Sequence, residues 1–423
     1  MDLSRGARGI RGAVASAQRR PDELRALTRL GFAELAGAAG GIGAVHRAIA
    51  DRAFGSAGAG ARPARLIHDT IADGAYRATG ATFTVTGGAI GYFVGRRRSG
   101  DGRPLSASPR GSTALAVLNG LIGDALEREQ SDLQEPMTIR AAGRAVPAEP
   151  GALAAAFPAA TPRIAVFLHG LMETELAWRL GAAGRGGTYA SRLAADVAMT
   201  PVFVRYNSGR HVSENGRSLS ELLEEVLAAW PVEVSDLALI GHSMGGLVAR
   251  SASHQAAEEG ADWVGRVRRV ITLGTPHMGA PVAQAVHYAS AALAAVPETR
   301  PLGRFLRRRS AGIRDLRHGS LVDGDWRDCD PDALRAAACQ EVPLLSGAKH
   351  CFVAATITRS ARNPVGRLVG DCLVLEASAS GRGRTRRIPF DEELGLHVGG
   401  AHHLALLNHP VVYERLREWL AGS

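Results

Sequence analysis

Apolar residues follow two alternating patterns from residue 137 onward. Short runs of Val, Ile, Leu and Ala predict strands covered on both faces, and longer stretches with apolar residues at helical spacing predict helices between them. Strands are predicted at 163–168, 201–206, 237–240, 267–273 and 351–357, after a short hairpin at 137–146. Helices are predicted at 113–129, 188–197, 218–230 and 411–420. This alternation predicts a mostly parallel sheet, with a functional site at the carboxyl ends of its strands.

The first 111 residues lack this alternation. Apolar residues at near-helical spacing predict helices at 24–35, 42–54 and 66–76, and a polar Gly/Pro/Ser-rich stretch at 99–112 predicts a linker. We therefore expect an N-terminal helical extension with its linker at 1–111 and a larger domain at 112–423.

The strand–helix alternation is interrupted again between residues 276 and 350. Helical stretches at 281–296 and 331–338 surround a basic cluster at 304–309. An insertion at about 277–350 that covers the substrate as a lid is the favoured interpretation, and a surface embellishment is the alternative.

A net charge of +9 would suit a polyanionic partner. However, Lys349 is the only lysine among the 50 Lys and Arg residues, and so strong a preference for arginine indicates a bias in composition as much as selection for a polyanion. No basic stretch is interleaved with aromatic residues, so no nucleic-acid partner is expected. The apolar stretch 81–95 is too short to span a bilayer, whereas the arginines at 96–98 could contact anionic lipid. Because the N-terminus lacks the apolar segment of a secretory signal, we expect a cytoplasmic protein, with peripheral membrane contact through residues 1–111 as an option.

The four cysteines predict little chemistry. They form no C-x-x-C pair, and the histidines show no paired spacing, so a structural zinc site is not expected. Two disulfides could form, but nothing in the spacing requires them.

The most informative stretch is a sharp turn at 241–245, Gly-His-Ser-Met-Gly, between the strand at 237–240 and a helix that starts near Leu247. Strand, G-x-S-x-G and helix in this order resemble the nucleophile elbow of α/β-hydrolases, with Ser243 as nucleophile. Gly241 and Gly245 would avoid side-chain collisions where strand and helix pass closely. A chance match in a chain with 51 glycines is the alternative.

A serine nucleophile needs a base and a group that orients the base, and in this fold the acid and then the histidine follow the serine. Asp371, beyond the strand at 351–357, is the favoured acid over Asp391 and Glu393 in a polar turn, and Glu376 is expected in or beside a strand. His403, before the last helix, is the favoured base, with His402 as the alternative. His397 and His409 lie nearby, and His409 is interpreted as a helix-start residue.

An oxyanion hole requires two N–H donors. One is expected from the backbone of Met244, directly after the nucleophile, and the other from Leu171, in the loop after the strand at 163–168. Gly170 lets that loop turn under the acyl carbon.

These motifs, together with Leu-Gly-Thr-Pro-His-Met-Gly-Ala-Pro at 273–281 and the stretch 205–216, make residues 137–420 similar to the α/β-hydrolase superfamily. Within it they most resemble bacterial lipase/esterases and the GPI inositol-deacylase (PGAP1-like) group. The resemblance implies hydrolysis of an ester or lipid-like small molecule through an acyl-enzyme, without metal or cofactor. One departure is Cys372, since such lipases often carry Gly-Asp-Gly around the acid.

Two rival functions stay open at this point. One is acyl transfer, or thioester or amide cleavage, on the same triad. The other is a non-catalytic, membrane-associated protein that keeps the fold. His211, Ser213 and Asn215 are candidate substrate contacts, with a plain polar loop as the alternative, and His277 is expected to be structural.

Overall fold

The computed structural model describes residues 105–281, 309–331, 339–360, 362–383 and 386–421, together with a few isolated positions outside these ranges. Among the described residues, eight strands form one sheet in the order β2-β1-β4-β3-β5-β6-β7-β8. They are β1 (Thr138–Ala141), β2 (Arg144–Val146), β3 (Arg163–Leu168), β4 (Thr200–Arg205), β5 (Asp236–His242), β6 (Val267–Leu273), β7 (Lys349–Thr356) and β8 (Gly395–Gly399). Strand β1 is antiparallel to β2 and β4, and every other neighbouring pair is parallel.

Helices connect the parallel strands and continue beyond the last one. They are α1 (Pro109–Arg128), α2 (Pro150–Ala156), α3 (Tyr189–Val197), α4 (Val212–Ala229), α5 (Met244–Glu259), α6 (Ala311–Asp315), α7 (Pro364–Val369), α8 (Glu376–Ala379) and α9 (Pro410–Ala421). Short 3-10 turns lie between them, and the one that matters for the site is His403–Leu406.

The core lies on both faces of the sheet because side chains alternate along each strand. On β5, Leu237 and Leu239 belong to one apolar cluster, which includes Leu223 of α4 and Leu247 of α5. Ala238 and Ile240 belong to the other cluster, which includes Leu193 of α3 and Leu416 of α9. A strand buried on both faces explains the uninterrupted apolar run in the sequence.

The predicted mostly parallel α/β-hydrolase sheet and its hairpin are confirmed, with strand bounds within two residues apart from the longer β5. Two boundaries were wrong. Helix α4 begins at Val212 rather than 218, because its first N–H group is satisfied by Asp315, about a hundred residues away, at 2.7 Å. Helix α1 begins at Pro109, inside the predicted linker.

Residues 112–127, 134–285 and 309–423 form one compact unit, and a second unit comprises residues 1–111, 128–133 and 286–308. The predicted N-terminal helices and the lid helices at 281–296 and 331–338 fall largely outside the described residues. The domain boundaries and the lid therefore stay predictions. All four cysteines are free. Within the described part of the chain, no helix combines the length and apolar character needed to cross a membrane.

The packing of α9 gives a first prediction. Leu416 is fully buried against the sheet, whereas Val411 on the same helix is 53% exposed. Leu416→Ala is expected to lower the free energy of unfolding by about 2–5 kcal/mol, because it leaves a cavity. Val411→Ala should change it by less than about 0.5 kcal/mol. Urea denaturation measures both, and equal effects would show that α9 does not close the core.

Candidate active site

Ser243 occupies the sharp turn between β5 and α5. Its φ is +53° and its ψ is −122°, a conformation that non-glycine residues adopt only when the surroundings impose it. The Ser243 N–H donates to the carbonyl of Leu273 at 2.8 Å, which fixes the turn to the end of β6. The strained turn therefore lies at the carboxyl end of the sheet, where parallel sheets place their sites.

Two glycines permit this turn by close approach. A Cβ on Gly241 would lie 2.3 Å from the backbone nitrogen of Gly246, so strand and helix would collide there as expected. A Cβ on Gly245 would instead lie 2.4 Å from the carbonyl oxygen of Leu168, at the end of β3. The second glycine is therefore required by the neighbouring strand and not by the elbow itself.

His403 and Asp371 form a buried pair. The Nδ1 atom of His403 lies 2.7 Å from Oδ2 of Asp371, and the His403 backbone N–H donates to the Asp371 carbonyl at 2.9 Å. The other carboxylate oxygen accepts the N–H groups of Leu373 and Val374 at 3.0 and 2.8 Å. Since the carboxylate is an acceptor, the proton of a neutral His403 belongs on Nδ1. Its Nε2 atom is buried without a hydrogen-bond partner in the described part of the chain and keeps its lone pair for a proton.

The other sequence candidates have different surroundings. His402 is exposed. The Nε2 atom of His397 lies 3.0 Å from the hydroxyl of Thr356. Asp391 accepts the backbone N–H of Glu393 at 2.9 Å. Glu376, expected in or beside a strand, begins helix α8, so that interpretation was wrong.

The loop after β3 carries the predicted oxyanion donor Leu171. The N–H of Gly170 already donates to Oε2 of Glu173 at 2.7 Å. No acceptor among the described residues lies within hydrogen-bond distance of the N–H of Leu171 or of Met244. Gly170 packs against Ser243, because a Cβ on it would lie 3.0 Å from Cβ of the serine. The two predicted donors thus remain available next to the nucleophile.

Glu173 and His242 form a second carboxylate–histidine pair that the sequence did not suggest. The Nδ1 atom of His242 lies 3.0 Å from the same Oε2 that Gly170 contacts. Burial disfavours the imidazolium, but the Glu173 carboxylate outweighs it, so the pKa of His242 is raised. Burial also disfavours the carboxylate, but His242 and the Gly170 N–H together lower the pKa of Glu173 to about 2.

His242 is a poor alternative to His403 as the base for Ser243. It directly precedes the serine at the end of β5, and its side chain is fully buried in the core. Its ring lies edge-on to Trp178 and 4.8 Å from the ring of His403, measured between centroids. The glutamate–histidine pair therefore packs against the loop after β3 and against the ring of His403.

His169 fixes the same loop from its other side. Its Nε2 atom accepts the backbone N–H of Tyr206 at 3.3 Å, and its Nδ1 atom donates to the carbonyl of Gly170 at 2.8 Å. These roles require a neutral ring. Burial lowers the pKa of His169 to about 4, which agrees with that state. The Tyr206 hydroxyl donates to the His169 carbonyl at 2.6 Å, and the two rings stack.

The candidate substrate contacts on the loop after β4 have structural partners instead. His211 lies 3.0 Å from Asp315 and stacks on Trp326, whose indole N–H donates to the Ser213 hydroxyl at 3.0 Å. Asn215 donates to a backbone carbonyl and is buried. These residues begin helix α4, so the loop expected there was wrong. His277 is fully buried with its Nε2 atom 3.3 Å from the hydroxyl of Thr272, in agreement with the structural role expected for it.

A mostly parallel sheet with a serine elbow after its fifth strand is the α/β-hydrolase fold, the fold class that the sequence predicts. The family model described as "PGAP1-like alpha/beta domain" matches residues 203–299, which include the elbow. No curated protein matches this chain in sequence.

Solved structures with a similar arrangement include a lipase of Bacillus licheniformis, BlEst2. Its propeptide form is 20% identical with a TM-score of 0.43, and the match covers 68% of this chain and 54% of that chain. This chain thus spans about half the length of the propeptide form. The mature form is 20% identical with a TM-score of 0.40, at 68% and 99% coverage. A Pyrobaculum calidifontis esterase is 15% identical with a TM-score of 0.34, at 61% and 73% coverage.

Cys372 provides a test of the turn that holds the acid. Its φ is +85°, a region that favours glycine, at the position where similar lipases often have glycine. Cys372→Gly is expected to raise the free energy of unfolding by up to about 1 kcal/mol, and Cys372→Val to lower it by about 1–2 kcal/mol. Cys329 has no positive φ. Cys329→Gly should therefore lower the free energy by roughly 0.4–1 kcal/mol. Chemical denaturation of the three variants measures these free energies. A lower free energy of unfolding for Cys372→Gly would contradict backbone strain at position 372.

Glu173→Gln tests the second carboxylate–histidine pair. The amide can still accept the Gly170 N–H, but buried His242 loses its charged partner, so the free energy of unfolding should fall by roughly 1.5–3 kcal/mol at pH 6. A lowered carboxyl pKa stabilises the fold above the ordinary value of 4.5, and this contribution is lost as the pH falls from there towards 2. The stability of the unmodified protein should therefore decline more steeply over this range than that of the variant.

The matched control for this pair is Glu224→Gln on the exposed face of α4. It should change the free energy of unfolding by less than about 0.5 kcal/mol. Parallel pH profiles for the unmodified protein and Glu173→Gln would exclude the ion pair.

Proposed function

We propose that the chain is a serine hydrolase that cleaves carboxylic esters through an acyl-enzyme. The observation that carries this proposal is the buried His403–Asp371 contact of 2.7 Å, which leaves Nε2 of the histidine unpartnered. It occurs in a chain whose only strained serine in the described part follows β5 in a nucleophile elbow. An orienting carboxylate, a base with a free lone pair and an elbow serine are the three parts that acyl transfer to serine requires.

In the proposed reaction, Oγ of Ser243 attacks the ester carbonyl while Nε2 of His403 takes the hydroxyl proton. Asp371 stabilises the resulting imidazolium and keeps the ring oriented. The N–H groups of Leu171 and Met244 donate to the oxyanion of the tetrahedral intermediate. The intermediate collapses, the alcohol leaves with the proton from His403, and Ser243 retains the acyl group. Water, activated by the same histidine, then releases the acid and restores the serine.

The proposed substrate is an ester or lipid-like small molecule. Transfer to another acceptor, or cleavage of thioesters or amides, would use the same residues and differ only in the leaving group and acceptor. Matched acyl esters, thioesters and amides, each with and without a competing alcohol or amine, would separate these reactions.

Labelling with a fluorophosphonate probe tests the proposed mechanism. The unmodified protein should become labelled on the peptide that contains Ser243, and Ser243→Ala and His403→Ala should not. Hydrolysis of p-nitrophenyl esters should fall by at least about a thousandfold in both variants.

His402→Ala is the matched control, because this histidine is the exposed neighbour of His403. It should label and hydrolyse like the unmodified protein. Failure of the unmodified protein to label would overturn the proposal in favour of a non-catalytic role, and labelling that survives in Ser243→Ala would overturn Ser243 as the nucleophile.

A further inference from the structure

We propose that residues 357–360 and 362–373 form a docking surface for the anionic face of a phospholipid bilayer. We call this segment the α7 surface. The inference goes beyond the proposed hydrolysis, because docking requires neither Ser243 nor His403.

The α7 surface is an excursion that leaves the sheet at the end of β7 and returns to the acid. Its two ends are joined where the N–H of Ile357 donates to the carbonyl of Gly370 at 2.9 Å. Helix α7 lies between these ends, and Asp371 follows directly. The two ends of the excursion are therefore held next to each other, directly before the buried carboxylate of the His403–Asp371 pair.

The excursion exposes a continuous apolar face. Val365, Leu368 and Val369 occupy one side of α7 at i, i+3 and i+4 spacing and are 54%, 78% and 40% exposed. Leu373, beyond the helix, is 44% exposed. Single exposed apolar residues are common, but several on one short projecting element mark a binding surface.

The charges around this face favour an anionic partner. Arg359, Arg362 and Arg367 are exposed, and none has an ion pair among the described residues. No acidic residue occurs between Cys351 and Gly370, and the carboxylate of Asp371 is buried. Exposed apolar side chains interspersed in sequence with unpaired arginines suit a bilayer interface. There the apolar side chains enter the acyl boundary and the arginines meet anionic headgroups. A second copy of this surface would instead oppose arginines to arginines.

Docking through the α7 surface would bring the neighbourhood of Asp371 and His403 to the lipid. The N–H of His403 donates to the Asp371 carbonyl, and the next residue, Leu404, is 43% exposed. The α7 surface is thus joined to the candidate site through Asp371, which directly follows it and contacts His403.

Sedimentation of the full chain with vesicles tests the α7 surface. The protein should bind vesicles of phosphatidylcholine with phosphatidylserine far better than phosphatidylcholine alone, and added salt should weaken this binding. Replacing the three arginines by Gln should weaken it on the order of a hundredfold, since each is worth about fivefold. Val365→Ser with Leu368→Ser should weaken it by about tenfold or more.

Matched controls use exposed residues remote in sequence from the surface. Val232→Ser with Leu180→Ser replaces side chains that are 37% and 47% exposed. Arg144→Gln, Arg179→Gln and Arg268→Gln together remove three exposed arginines that have no ion pair among the described residues. These variants should bind vesicles like the unmodified protein. Fluorophosphonate labelling of every variant separates loss of docking from failure of the proposed chemistry.

Three results would overturn the proposal. The first is an unmodified protein that does not bind the anionic vesicles. The second is binding that survives in the α7-surface variants, which would point to another part of the chain, such as residues 1–111. The third is a concentration-dependent dimer that Leu368→Ser abolishes, which would identify a second copy as the occupant.

Discussion

The close approach of helix α5 to the ends of β5 and β3 is the constraint on which the site depends. A Cβ at Gly241 or Gly245 would lie within 2.4 Å of backbone atoms, so only glycine allows the helix to start where it does. Ser243 is held at a φ of +53° as a consequence. Strand β5, which is buried along its whole length, holds Ser243 in this strained conformation. Core packing therefore positions the hydroxyl, and the same helix start leaves the N–H of Met244 beside it.

Two carboxylate–histidine pairs lie side by side in this environment, and they have different tasks. Asp371 is fixed by two backbone N–H groups and orients His403, whose Nε2 atom is left unpartnered. Glu173 shares one oxygen between His242 and the N–H of Gly170. The N–H of Gly170 is thereby occupied, and Leu171 stays the predicted oxyanion donor of this loop. The second pair thus links the loop after β3 to the elbow through one carboxylate oxygen.

Sequence reasoning succeeded where short-range pattern and core burial coincide. The apolar runs predicted the parallel strands because both faces of the sheet are covered, and the elbow motif predicted where the strained serine lies. It failed at the start of α4, where His211, Ser213 and Asn215 were placed on a loop and the helix was predicted to begin at 218. There the partner of the first N–H is Asp315, far along the chain, and a contact of that kind leaves no local signal.

The sequence by itself determined the chain order of strands β1 to β7, the glycine turn at Ser243, and a carboxylate and histidine in suitable chain order, whereas strand β8 was not predicted. These follow from local sterics and from the periodicity of apolar residues. Only the tertiary structure decided that His403 rather than His402 lies against Asp371, because two adjacent side chains point in different directions and only packing selects one. It also decided that Glu173 meets His242 across 69 residues. Pairings at that separation depend on how strands are placed next to each other, and no local pattern encodes them.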